Sequence, residues 1–167
     1  EDIAIPGAGT GPGNAAFYPL DFNLEPVPEG VTVSRVDLRL TINHTLPDNL
    51  RMLLQSPAGT SVVLMANAGG GADLDPGSII RFTDNGTDGP IPDGGPIQTG
   101  ISNAHQPGGA YGGNIALGAP APQPPYATSF DVFEGQPARG SWRLWVYDDA
   151  AGNSGVLESA TLIFQTD

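Results

Sequence analysis

The sequence predicts an all-β fold, a jelly-roll β-sandwich of about eight short strands with one long loop region. The apolar runs are short, rich in β-branched residues and separated by turn residues, and the chain contains 24 glycines and 17 prolines. Prolines also interrupt most windows that could otherwise form a helix. With 39% hydrophobic residues in 167, we expect one core and a single domain over residues 1–167, excised from the C-terminal part of a longer precursor.

Eight segments combine apolar or alternating residues with flanking turn signals. The predicted strands are 15–24, 31–43, 50–55, 61–66, 78–84, 128–133, 141–148 and 156–165. In the second strand Val36, Leu38, Leu40 and Ile42 share one face, whereas Val31 and Val33 have the opposite parity. This change predicts a β-bulge near Ser34–Arg35, after which Arg35, Asp37, Arg39 and Thr41 face solvent or a neighbouring domain.

Residues 85–125 are rich in glycine and proline and almost without apolar runs. The segment is longer than an ordinary connection in a compact domain. We therefore predict a long loop that wraps around the sandwich and is ordered partly by calcium or by packing.

The charge balance is strongly acidic, with a formal net charge of −12. Such a surface repels nucleic acid and anionic membranes. The chain contains no cysteine, which excludes disulfides and thiolate metal sites. No apolar run approaches the roughly 18 residues that span a bilayer. An exported bacterial protein, secreted or on the cell surface, fits this composition.

Two motif-bearing regions point to a known family. Residues 140–164 contain Gly-x-Trp-x-Leu-x-Val-x-Asp followed by Gly-x-Leu, and residues 43–60 contain Asn-His-Thr and Ser-Pro-Ala-Gly-Thr. Together they resemble the P domain, or Homo B domain, that follows the catalytic domain in kexin- and furin-like subtilisin proteases. Residues 130–135 resemble the short strand that precedes its final strand pair.

The resemblance implies a galactose-binding-like jelly roll without catalytic residues. The resemblance also implies that the module folds against the adjacent serine protease domain of the same precursor, stabilises that domain and tunes its response to calcium and pH. Bacterial P domains also follow other secreted hydrolases and occur in surface proteins.

Acidic loops make calcium the expected cofactor, because calcium takes oxygen ligands from carboxylates and carbonyls. The candidate ligands are Asp84 and Asp88 in one loop and Asp148, Asp149 and Asn153 in the final turn; Asp73 and Asp75 lie in a third acidic loop. Alternatively, these residues cap turns and bond to nearby amides.

Trp145 and Tyr147 have the opposite parity to Trp142 in their strand. An exposed aromatic pair would form a docking surface for the catalytic domain, or would stack on sugars. In the remaining alternative, loops bury both faces of the strand.

An independent enzyme is disfavoured by the pattern around Ser61. Gly59-Thr60-Ser61 resembles the nucleophile region of subtilisin-like proteases, but Ser61 leads directly into a predicted strand and the partner His and Asp signatures are missing. We expect a structural hydrogen bond for His44 and a solvated side chain for His105, and no zinc spacing connects them. The alternatives to an accessory domain are a calcium-dependent carbohydrate- or surface-binding module and a structural unit of an adhesin.

Overall fold

The computed structural model describes residues 1–167 and consists of nine strands in two antiparallel sheets. The strands are β1 (Ile3–Ile5), β2 (Gly13–Asn14), β3 (Leu20–Asn23), β4 (Val33–His44), β5 (Leu50–Gln55), β6 (Ser61–Ala66), β7 (Ile79–Phe82), β8 (Ser141–Asp148) and β9 (Gly155–Thr166). Three short 3₁₀ helices cover Pro47–Asn49, Gly112–Asn114 and Phe130–Phe133. None of these helices has the length and apolar character that crossing a membrane requires.

The first sheet has the strand order β1-β9-β4-β7. In the second sheet β8 pairs with β5, and β5 pairs with β6. The other edge of β8 carries β2 and β3 end to end, since β2 pairs with Tyr147 and Asp148 and β3 pairs with residues 141–144. The predicted β-sandwich is therefore confirmed.

Strand prediction succeeds where a short apolar run is bounded by turn residues. The observed limits of β5, β6 and β8 equal the predicted ones. The predicted strand 128–133 is wrong, because Ser129 caps a 3₁₀ helix there by accepting the Asp131 backbone N–H at 3.2 Å. The predicted strand 15–24 is interrupted, with only Leu20–Asn23 observed within it, and the short strands β1 and β2 were missed.

The predicted bulge in β4 is confirmed. Val33 pairs with Thr166 of β9 and Arg35 pairs with Gln165, so the register shifts at Ser34. The extra residue brings Val33 and Val36 to the same buried side of the strand, with exposures of 1% and 2%.

The main core lies between the two sheets and contains 27 buried residues. Trp142 of β8 is fully buried within it and makes edge-to-face contacts with Phe133 and Phe164, at ring-centroid distances of 4.9 and 5.1 Å. The inward faces of β4 and β5 supply a continuous group of aliphatic residues, which includes Leu38, Leu40, Ile42, Met52 and Leu54.

A second, smaller cluster lies on the outer face of the second sheet. The sheet contributes Leu53, Val63, Ala66 and Trp145, and the segment after Gly112–Asn114 contributes Leu117, Ala121 and Tyr126. The predicted wrapped loop is thus observed and is ordered by packing. It also bonds to the sheets, as the Gly108 N–H donates to the Leu64 carbonyl at 3.1 Å.

Candidate functional site

A buried histidine–aspartate pair joins the two sheets at one end of the sandwich. His44 is the last residue of β4 and Asp148 is the last residue of β8, and His44 Nε2 lies 3.1 Å from Asp148 Oδ2. Both side chains are 0% exposed. His44 Nδ1 accepts the Leu46 backbone N–H at 3.2 Å, so Nε2 carries the proton of the neutral ring and donates it to the carboxylate. The structural hydrogen bond predicted for His44 is confirmed.

Close packing at this pair explains the glycine that begins β9. A Cβ on Gly155 would lie 2.0 Å from the Asn43 carbonyl oxygen and 2.7 Å from His44 Cα. The glycine of the Gly-x-Leu motif therefore allows β9 to approach the end of β4.

The calcium candidates of the final turn bond to groups of the chain itself. Asp148 Oδ1 accepts the Ala150 backbone N–H at 3.1 Å, so each of its carboxylate oxygens has a donor. Asp149 Oδ2 accepts from Arg51 Nη2 at 2.5 Å and from Asn67 Nδ2 at 2.6 Å. Asn153 Oδ1 accepts the Thr45 hydroxyl at 3.2 Å. Only the bond from Ala150 fits the alternative in which these residues cap turns and bond to nearby amides, because the other partners are distant in the chain.

Asp88 also bonds locally. Its Oδ2 accepts the Ala104 backbone N–H at 2.7 Å and the Asn103 amide at 3.3 Å, which holds two parts of the long loop together. Asp73 and Asp75 of the third acidic loop are exposed.

Asp84 stands apart from the other candidates because it faces a cavity. It lines a cavity of about 330 Å³ together with Asp131 and Glu134. One carboxylate oxygen, Oδ1, accepts the Phe130 backbone N–H at 2.8 Å. Desolvation raises the pKa of Asp84, and the nearby Asp131 carboxylate raises it further. Asp131 and Glu134 were not among the predicted ligands, because residues 128–133 form a 3₁₀ helix at Phe130–Phe133 instead of the predicted strand.

The chain has no group of three or more His, Asp or Glu side chains arranged to hold a metal ion. A calcium ion at the predicted residues would therefore need backbone carbonyls or water as further ligands. Calcium binding stays a prediction.

Trp145 is not the exposed aromatic residue that the docking prediction required. Its side chain is 5% exposed and its Nε1–H donates to Gln55 Oε1 at 3.2 Å. Tyr18 contacts the ring edge to face at 5.0 Å and donates its hydroxyl to the Gly118 carbonyl at 2.6 Å. Tyr147 lies under the same loop, since a Cβ on Gly118 would be 2.6 Å from Tyr147 Cε2. Both faces of β8 are therefore covered, as the remaining alternative predicts.

Neither histidine forms a hydrogen bond to Ser61. The Ser61 hydroxyl is buried at the start of β6 without a hydrogen-bond partner, and both ring nitrogens of His44 are bonded elsewhere. The prediction of a solvated His105 is wrong, because its side chain is 1% exposed and its Nε2 bonds to the Gln98 carbonyl at 2.8 Å. His105 is buried because it forms a parallel β-bridge with Phe82 of β7.

The outward face of β4 carries a charge network rather than isolated solvated residues. Asp37 is 4% exposed and accepts from Arg81 of β7 at 2.6 Å and from Arg35 at 3.1 Å. Burial alone would raise the pKa of Asp37, but hydrogen bonds led by that from Arg81 outweigh it and lower the pKa. The prediction that Asp37 faces solvent or a neighbouring domain missed this partner from the adjacent strand, whereas Arg39 is exposed as predicted.

Residues 33–87 match the family described as the proprotein convertase P-domain. The matched segment is about a third of the chain and runs from β4 through β7, including His44, the turn between β5 and β6, and Asp84. The resemblance predicted from the sequence is thus confirmed over these residues, and the final β8–β9 hairpin lies outside them. No curated protein matches the chain.

Proposed function

We propose that this chain is a non-catalytic P-domain module that folds against, stabilises and modulates a neighbouring secreted serine endopeptidase. The match of residues 33–87 to the P-domain family carries this proposal. In that family the domain is an accessory without catalytic residues and normally sits with a protease domain, in proteases that are secreted.

The buried pair and the two hydrophobic clusters support a stabilising role. A partner that contacts only the folded state of this domain shifts the unfolding equilibrium of both by mass action. A rigid sandwich whose sheets are tied by His44 and Asp148 offers such a partner a surface that needs little reorganisation.

The test is the natural full-length precursor produced with and without this segment, with secretion and peptidase activity measured. We expect deletion to abolish or sharply reduce active secreted enzyme. Full activity in a stable truncated enzyme would contradict the folding role. A precursor that contains no hydrolase domain would contradict the proposed partner and favour the adhesin alternative.

Carbohydrate binding by this module is less well supported than protease docking. Its predicted stacking platform, Trp145 with Tyr147, lies under the long loop rather than in the open. Glycan binding by the chain that is lost in Trp145 or Tyr147 variants would nevertheless establish that function.

We further propose that calcium, where it binds, binds at the cavity of Asp84. Two facing carboxylates, Asp84 and Asp131, repel each other there, and a divalent cation would relieve that repulsion. Asp84 Oδ1 already accepts a backbone N–H, which leaves its other oxygen and the Asp131 carboxylate as the available ligands.

Asp84→Asn is expected to remove any stabilisation by calcium. Millimolar calcium should raise the melting temperature of the wild-type chain relative to chelator, and Asp84→Asn should eliminate the difference while keeping the bond from Phe130. The matched control is Asp88→Asn, which changes an exposed aspartate that bonds to the long loop instead. An equal calcium response in Asp84→Asn and wild type would exclude this cavity.

A further inference from the structure

The outer face of the first sheet is open, whereas the long loop covers the outer face of the second. The open face is formed by β4, β7 and β9, and its central β9 residues Thr161 and Ile163 are exposed. We call it the arginine face, after Arg35, Arg39 and Arg81.

The arginine face has a charge opposite to that of the chain. The chain has 6 basic and 18 acidic residues, and three of the basic residues lie on this face. Its only central acid, Asp37, is buried and bonds to two of the arginines. Arg39 is exposed, takes part in no ion pair and lies directly opposite Arg81 on β7. Like charges directly opposite each other on paired strands are destabilising, and a negatively charged group of a partner would offset the repulsion between Arg39 and Arg81.

An apolar hollow adjoins these two arginines. Its lining consists of three isoleucines and three charged residues, namely Ile79, Ile101, Ile163, Asp37, Arg39 and Arg81, and its volume is about 250 Å³. Ile101 is 80% exposed and Ile163 is 43% exposed, which makes both unusual for large aliphatic side chains of a folded domain. Arginine beside an apolar pocket that a partner would desolvate on binding is the composition of a strong interface centre.

We propose that the arginine face docks an acidic surface of the neighbouring protease domain, with an apolar side chain in the hollow and carboxylates against Arg39 and Arg81. This inference rests on the proposed function and specifies the surface that carries it. An acidic partner is favoured because the chain as a whole, at a net charge of −12, repels carboxylates everywhere except at this basic face. A second copy of the chain in a twofold arrangement would instead bring arginines against arginines.

The absence of cysteine from the chain permits a direct test by site-specific cross-linking. Thr161 is exposed on β9 beside Arg39, and Asn114 is exposed on the loop that covers the other sheet. Each is changed to cysteine in a full-length precursor in which any cysteines outside this chain are replaced by serine, then labelled with a benzophenone maleimide and irradiated. We expect cross-links from residue 161 to the protease domain and none from residue 114.

Arg39→Glu in the Thr161→Cys precursor provides the specificity control. We expect it to lower the yield of cross-link by about tenfold, the order expected for a close charge pair across an interface. Arg143→Glu, which changes an exposed arginine of the other sheet paired with Asp21, should leave the yield unchanged.

The outcomes separate this inference from the proposed function. Cross-links to the protease domain from residue 114 but not from residue 161 would overturn the arginine face and leave the accessory role intact. Cross-links from residue 161 to a second copy, or yields insensitive to Arg39→Glu, would also overturn it. If the deletion of this segment leaves secretion and activity unchanged, the proposed function itself fails.

Discussion

Replacement of His44 by leucine is expected to lower the free energy of unfolding by about 3–5 kcal/mol, the usual cost of removing one partner of a buried pair. Without the histidine, the Asp148 carboxylate remains buried at 0% exposure and keeps only the backbone N–H of Ala150. Urea unfolding of the chain at neutral pH measures the loss.

The matched control is Arg143→Ala, which removes an exposed ion pair to Asp21. Its side chains are 48% and 53% exposed, and a pair of this kind is worth less than about 1 kcal/mol. The double variant His44→Leu with Asp148→Leu should be more stable than the sum of the single changes predicts, because it leaves no buried carboxylate unpaired. Equal small effects of His44→Leu and Arg143→Ala would contradict the role of the pair.

Replacement of Trp145 by alanine is expected to destabilise the chain by about 3–5 kcal/mol, as for other large core aromatics. The change removes the ring on which Tyr18 packs and the largest of the sheet side chains in the cluster that holds the loop residues Leu117 and Tyr126. Equilibrium unfolding followed by circular dichroism measures the loss.

Tyr111→Ala provides the comparison, since Tyr111 is 50% exposed on the same loop and its loss should cost less than about 0.5 kcal/mol. Unchanged stability in Trp145→Ala, combined with weaker association with the protease domain, would restore the original docking interpretation of Trp145.

The sandwich could be predicted from the sequence because the pattern that indicates each strand lies within a few consecutive residues. The apolar runs in residues 50–55, 61–66 and 141–148 can each be recognised within a single strand, and the parity change at Ser34 reveals the bulge within β4 itself. Short strands such as β1 carry too few residues for a pattern, so they were missed.

The candidate sites depend on contacts between distant residues, which no local pattern reports. Asp148 appeared to be a free ligand because His44 lies 104 residues earlier in the chain. The burial of Trp145 could not be decided from the sequence, because its cover, Leu117 and Tyr126, comes from a loop without periodicity. Asp37 is buried by Arg81, which joins it only through the β4–β7 pairing.

The most direct test of the proposed accessory role is heat inactivation of the full-length protease carrying His44→Leu, compared with Arg143→Ala and wild type. The proposed stabilisation predicts that peptidase activity in His44→Leu is lost at a lower temperature, in proportion to the lost stability of this domain, and that Arg143→Ala behaves as wild type. Inactivation of His44→Leu at the wild-type temperature, with this domain already unfolded, would contradict it.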